Sequence, residues 1–137
     1  MTIAPNLITE TSPQSGLLNY RITAQRILEL LELEEEDEYG ILKPTEYAFR
    51  TAMKLVLGAY DIMRDSFPKA SACPDEKGGI MLDWSKNNPD CAIHLFCQKS
   101  PEIQAYISHQ KGDEYAGDYE VSSPRLSYWL QWFNNAI

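Results

Sequence analysis

Apolar residues recur every three or four positions in the first half of the chain and every second position in much of the second half, which divides it into a helical part and a strand part. Ile22, Ile27, Leu30, Leu31 and Leu33, set among strong helix formers, predict an amphipathic helix over residues 18 to 38. Its acidic end opposes the helix macrodipole, so that end must be compensated or fray. After a break at YGILKPTE, residues 39 to 46, a second helix of about twenty residues is predicted from Ala48, Phe49, Ala52, Met53, Val56, Ala59, Tyr60 and Met63. Its stripe of alanines beside larger side chains is wide enough to cover a sheet or the first helix. Pro68 and Pro74 end helical structure.

Alternation takes over in PDEKGGIMLDW, residues 74 to 84. Ile80, Leu82 and Trp84 fall on one side of an extended chain, Met81 and Asp83 on the other, and Gly78 and Gly79 supply the turn before the strand. SKNNPD links it to CAIHLFC, where Ile93, Leu95 and Cys97 oppose Ala92, His94 and Phe96. A turn at KSPE leads to a third strand, IQAYISH, with Ile103, Ala105 and Ile107 on one face. QKGDEYAGD reads as a polar link, and YEV at 119 to 121 as a short fourth strand. Ser123 and Pro124 then open a helix with Leu126, Trp129, Leu130 and Phe133 on one face.

Short links between strands favour antiparallel neighbours. The predicted fold is therefore α+β: two N-terminal helices, a three- or four-stranded antiparallel sheet and a C-terminal helix in a two-layer sandwich, all within residues 17 to 137. Residues 1 to 16, with Pro5, Pro13, Gly16 and no apolar period, are expected to form a flexible N-terminal arm.

A 137-residue chain that is 44% hydrophobic has apolar side chains enough for a core, which argues against disorder and against a fibrous repeat. No basic stretch followed by an apolar run opens the chain, and no window approaches the roughly 18 apolar residues of a spanning helix, so no membrane association is expected. Three cysteines without a CxxC pair fit a reducing compartment, and the expected location is cytoplasmic. The net charge of −8 is concentrated: ELLELEEEDE holds Glu29, Glu32, Glu34, Glu35, Glu36, Asp37 and Glu38 and no base, leaving thirteen acids against twelve Lys and Arg elsewhere. Such a run repels phosphate and excludes direct nucleic-acid binding through that surface. It suits a basic partner.

KPTEYAFRTAMKLV, FPKASACPDEKGGIMLDW, CAIHLF and AYIS together resemble a loose family of small bacterial proteins, cyanobacterial ones among them, for which no activity is established. The likeness spans residues 39 to 110 and lies in a Pro-started, Ala-rich helix followed by Pro74, Gly78, Gly79 and Trp84 in a hairpin, then two or three further strands. It implies the α+β fold and no particular activity. The chain departs from the pattern in lacking a Trp before the first helix, in its acidic helix and in its aromatic tail.

Catalytic motifs are absent from the sequence: no Gly-x-Ser-x-Gly, P-loop, Gly-x-Gly-x-x-Gly or His-Glu-x-x-His occurs. Cys91 and Cys97 are six apart with His94 on the opposite strand face, so no metal-ligating spacing is present and neither metal nor cofactor is expected. Folding could still bring a cysteine and a histidine together as nucleophile and base, for instance Cys97 with His109 across neighbouring strands, as any chain with three cysteines and two histidines could.

What remains is a binding role. On a helix, seven carboxylates in ten residues give a charge every ~2 Å, close to the ~1.7 Å of duplex DNA, a surface able to stand in for phosphates against a basic protein. In SYWLQWFNNAI, Trp129 and Phe133 suit the core face, which turns Tyr128 and Trp132 partly outward as apolar anchors. The first reading is thus a non-catalytic acidic interaction module, an inhibitor, antitoxin-like protein or adaptor, docking through these acids with Tyr128 and Trp132; the same helix would support a homodimer. The alternative is a small-ligand sensor with a pocket between sheet and helices, lined by Trp84, Phe96, Tyr106 and Trp129 and oriented by His94 or Asp83.

Overall fold

The computed structural model describes residues 13 to 137. Helix α1 (Pro13–Glu29) passes through a 3-10 turn at Leu30–Glu32 into a two-stranded hairpin, β1 (Glu36–Asp37) and β2 (Gly40–Ile41). Helix α2 (Glu46–Met63) follows, then five strands, β3 (Ser71–Pro74), β4 (Ile80–Asn87), β5 (Asp90–Cys97), β6 (Tyr106–Lys111) and β7 (Glu114–Asp118), and helix α3 (Ser123–Asn135). The five strands form one antiparallel meander in chain order. All three α-helices lie on one face of it, so the architecture is α+β in two layers. No described helix is long and apolar enough to cross a membrane.

Register and alternation together build the core. Leu82 faces Leu95, Trp84 faces Ile93 and Leu95 faces Ile107, so the apolar residues on one face of three strands form one buried sheet surface. Ala48, Ala52, Leu55, Val56, Ala59 and Met63 of α2 and Leu126, Leu130 and Phe133 of α3 close over it. Thr45 caps α2 by accepting from Ala48 N at 3.1 Å, and Ser122, one residue before the predicted cap, does the same for Arg125 N in α3. Polar side chains pin α1: Asn19 and Arg26 donate to Phe67 O and Ala70 O, and Thr23 Oγ1 accepts from Ala70 N.

Three expectations are corrected. The first helix ends at Glu29 rather than at 38: with carboxylates crowding its C-terminal end, nothing favours continuing, and Leu30 is buried only by turning toward β3. The sheet has five strands because Ser71–Pro74 pairs with β4 and because QKGDEYAGD is a hairpin rather than a link, its strand ending at Asp118 before YEV begins. Residues 13 to 16, assigned to a flexible arm, are the first turn of α1, where Gly16 is buried against the Arg64 and Asp65 backbone; the remainder of that arm lies outside the described residues.

PDEKGGIMLDW is a structural joint. Asp75 Oδ1 accepts from Lys77 N and Gly79 N, both at 2.8 Å, and Gly78 adopts φ +96. The loop also anchors the β1–β2 hairpin, with Ile41 N donating to Glu76 O at 3.1 Å and Thr45 N to Gly78 O at 2.9 Å.

Candidate functional site

All seven carboxylates between Glu29 and Glu38 belong to exposed residues, and none joins an ion pair among the described residues. Glu29 accepts from Gln25 Nε2 at 3.3 Å, and Asp37 Oδ1 takes the Tyr39 and Gly40 amides at 2.8 and 3.1 Å, tightening the β1–β2 turn. The nearest base in α1, Arg26, is spent on the Ala70 carbonyl. Tyr39, 76% exposed, and Ile41 sit at the hairpin beside the acids. The geometry differs from a charged helix. An extended backbone rises about 3.3 Å per residue with alternate side chains on opposite sides, so the carboxylates spread over a bent ribbon and the match to duplex phosphate spacing is lost.

Tyr128 is 56% exposed and Trp132 half-buried, as the tail predicts. Trp132 packs edge-on to His109 of β6, and His109 stacks on Trp129 with ring centres 3.7 Å apart. This corner lies toward β7, whereas the acidic ribbon follows from a turn that touches β3. The two halves of the predicted docking surface are thus at opposite edges of the sheet and do not form one patch.

The residues proposed to line a pocket are split by the sheet. Trp84 is fully buried under the helices, its Nε1 donating to Pro68 O at 2.9 Å, while Phe96, Tyr106, His94 and Asp83 project from the uncovered face. On that face His94 Nε2 lies 3.2 Å from Asp83 Oδ1, Ser85 donates to the same oxygen, and Phe96, Tyr106 and Tyr119 form a row of stacked or tilted rings. The expected pocket between sheet and helices is therefore not assembled. Alternation alone dictates this, since neighbours in a strand face opposite ways.

Cys97 and His109 both face the helices, but His109 pairs with Ile93, four residues from Cys97 and about 13 Å away along the strand. Burial pushes the Cys97 thiol up to about 12, with Asp75 adding to the shift, so it stays protonated. Burial also raises Cys73 and Cys91. No group of three or more metal-ligating side chains occurs among the described residues.

Among the described residues Asp118 is the one strongly perturbed carboxylate, a residue that the sequence places in a polar link. It accepts from Trp129 Nε1 at 2.8 Å, Glu120 N at 3.0 Å and Arg125 Nε at 2.5 Å, and these donors hold it down to about 2. A pKa below the ordinary carboxylate value of about 3.9 means the unfolded chain takes up this proton first. Its stabilising effect is complete above that value and is lost as pH falls toward 2. The difference in urea midpoint between the parent and Asp118→Asn is expected to be largest above pH 4 and to shrink toward pH 2; a difference independent of pH would refute this role.

Comparisons with protein-family models, curated proteins and solved structures give no match for this chain.

Proposed function

We propose that the chain is a non-catalytic interaction module, an inhibitor, antitoxin-like protein or adaptor, that docks on a basic protein surface through the ribbon from Glu29 to Ile41. The observation that carries this reading is the concentration of seven exposed carboxylates, none in an ion pair among the described residues, next to exposed Tyr39 and Ile41. Unpaired surface charge steers encounter with an opposite surface, and the neighbouring apolar groups supply area to bury on contact.

The test neutralises Glu32, Glu34, Glu35, Glu36 and Glu38 to glutamine, sparing Glu29 and Asp37, whose oxygens hold local hydrogen bonds. The folded stability is expected to hold or rise, since no ion pair is lost and like charges are separated. In pull-downs, a partner retained by the parent is expected to be released between about 0.1 and 1 M salt, as the screening length falls from about 10 to about 3 Å, and to be missed by the neutralised bait. Retention of the same partner by both baits, insensitive to salt, would overturn the reading.

A further inference from the structure

The other edge of the sheet has its own unsatisfied geometry. β7 pairs only with β6; no described strand occupies its free side, and four of its five residues are exposed. An edge strand presents alternate backbone N–H and C=O groups outward. Natural edges are usually guarded by lysine, proline or a bulge, and EYAGD has no lysine or proline and a regular register with β6. Beyond Asp118, which α3 covers, the helix-side residues of β7, Ala116 and Glu114, are exposed as well. There a hollow of about 320 Å³ is lined by His109, Lys111, Glu114, Tyr115, Ala116 and Trp132, and a second hollow sharing Lys111 and Trp132 continues along α3 past Tyr128.

We propose that β7 is a docking edge for an extended segment of a partner protein, which adds as a sixth strand with a basic residue opposite Glu114 and an aliphatic residue opposite Ala116, seated in the hollow against Trp132. The charge pattern selects this occupant. On the helix side of β7, Asp118 is already held by Arg125 and Trp129, Ala116 leaves room, and Glu114, though opposite Lys111 in the β6 ladder, forms no ion pair with it or with any other described residue. Residues of an added strand alternate in the same way, so a basic and an aliphatic side chain two positions apart reach Glu114 and the hollow together. A second copy fits worse: antiparallel pairing of two β7 strands about Ala116 sets Glu114 of each against Asp118 of the other, and like charges directly opposed are destabilising. β7 and its hollow share no residue with the acidic ribbon.

The probe is the acetylated peptide Thr-Leu-Thr-Lys-Thr-Ser, whose antiparallel addition sets Leu opposite Ala116 and Lys opposite Glu114, titrated to about 1 mM into the isotopically labelled full chain and followed by amide and indole NMR shifts. Shifts are expected at residues 114 to 118 and at the Trp132 indole. Methylating the peptide nitrogens that face β7 is expected to weaken binding at least tenfold, whereas methylating the alternate nitrogens leaves it unchanged, which only strand addition requires. Glu114→Lys is expected to weaken this peptide about tenfold and to restore binding to the peptide carrying Glu in place of Lys. Four results would overturn the proposal: no shifts, equal binding of both methylated peptides, shifts confined to residues 29 to 41, or concentration-dependent broadening at 114 to 118 in the protein alone. The third would leave the acidic docking surface intact, and the fourth would assign the edge to a second copy.

Discussion

Replacing Trp84 by alanine is expected to cost about 4 kcal/mol of folding stability, the middle of the range for emptying a large aromatic site in a core. Trp84 is fully buried on β4, the second strand of the sheet, faces Ile93 across the β4–β5 ladder and meets Phe67 edge-on at 6.5 Å. Phe67 in turn packs edge-on against Tyr20 of α1 and Tyr60 of α2, so one ring ties the sheet to two helices through an aromatic chain. The substitution opens a cavity and also strands the Pro68 carbonyl that the indole N–H satisfies. Since small proteins have roughly 5 to 15 kcal/mol in all, the variant should sit near the threshold of folding. Urea unfolding followed by circular dichroism measures the loss, and Trp84→Phe, which keeps a ring in the site but loses the Pro68 hydrogen bond and part of the volume, is expected to cost less than the alanine variant. A loss under 1 kcal/mol for the alanine variant would show that this side chain does not organise the core.

The second large effect concerns the paired glycines. An added Cβ at Gly79 would stand 2.6 Å from the Cys97 carbonyl oxygen and 2.3 Å from an Asp75 oxygen. The Asp75 side chain could swing aside only by giving up the amides of Lys77 and Gly79, and the Cys97 carbonyl belongs to the backbone of β5. Gly79→Ala is therefore expected to cost about 2 to 3 kcal/mol, the upper part of the range for overpacking. Gly112, at the tip of the β6–β7 hairpin, supplies the contrast. Its φ is +62 and nothing lies within 4 Å of an added Cβ, so Gly112→Ala should cost about 1 kcal/mol from backbone strain alone. Equal losses at the two positions would show that crowding at Gly79 is relieved elsewhere.

The parts of the fold that were legible in the sequence are those where one side of an element is buried. α2, β4 and β5 match their patterns because each buries a full stripe or a full face, so periodicity records the packing directly. β3 escapes because four residues ending in proline carry no period, and their pairing is set by β4 across the Asp75 turn. β7 escapes because it buries almost nothing; only its ladder with β6 makes it a strand, and Gly112–Asp113 in its turn was the available signal. The acidic segment misleads for another reason. Glutamate and leucine are good helix formers residue by residue, but the accumulated charge at a C-terminal end and the pull of Leu30 into the core act on the whole element. The expected ligand pocket fails on parity: if Ile93, Leu95 and Cys97 share the face of Trp84, Phe96 and His94 must turn away from it, and the pattern already held that information.

The distribution of the indoles gives the molecule a built-in reporter. Trp84, Trp129 and Trp132 all lie on the helix-bearing side of the sheet, while the bare side carries phenylalanine, histidine and tyrosines. Fluorescence excited selectively at the red edge of absorption therefore sees one hemisphere only. A binder landing on the bare side leaves that emission almost untouched, whereas one approaching the corner around Trp132 changes it, so the direction of approach can be read from a cuvette before any complex is crystallised.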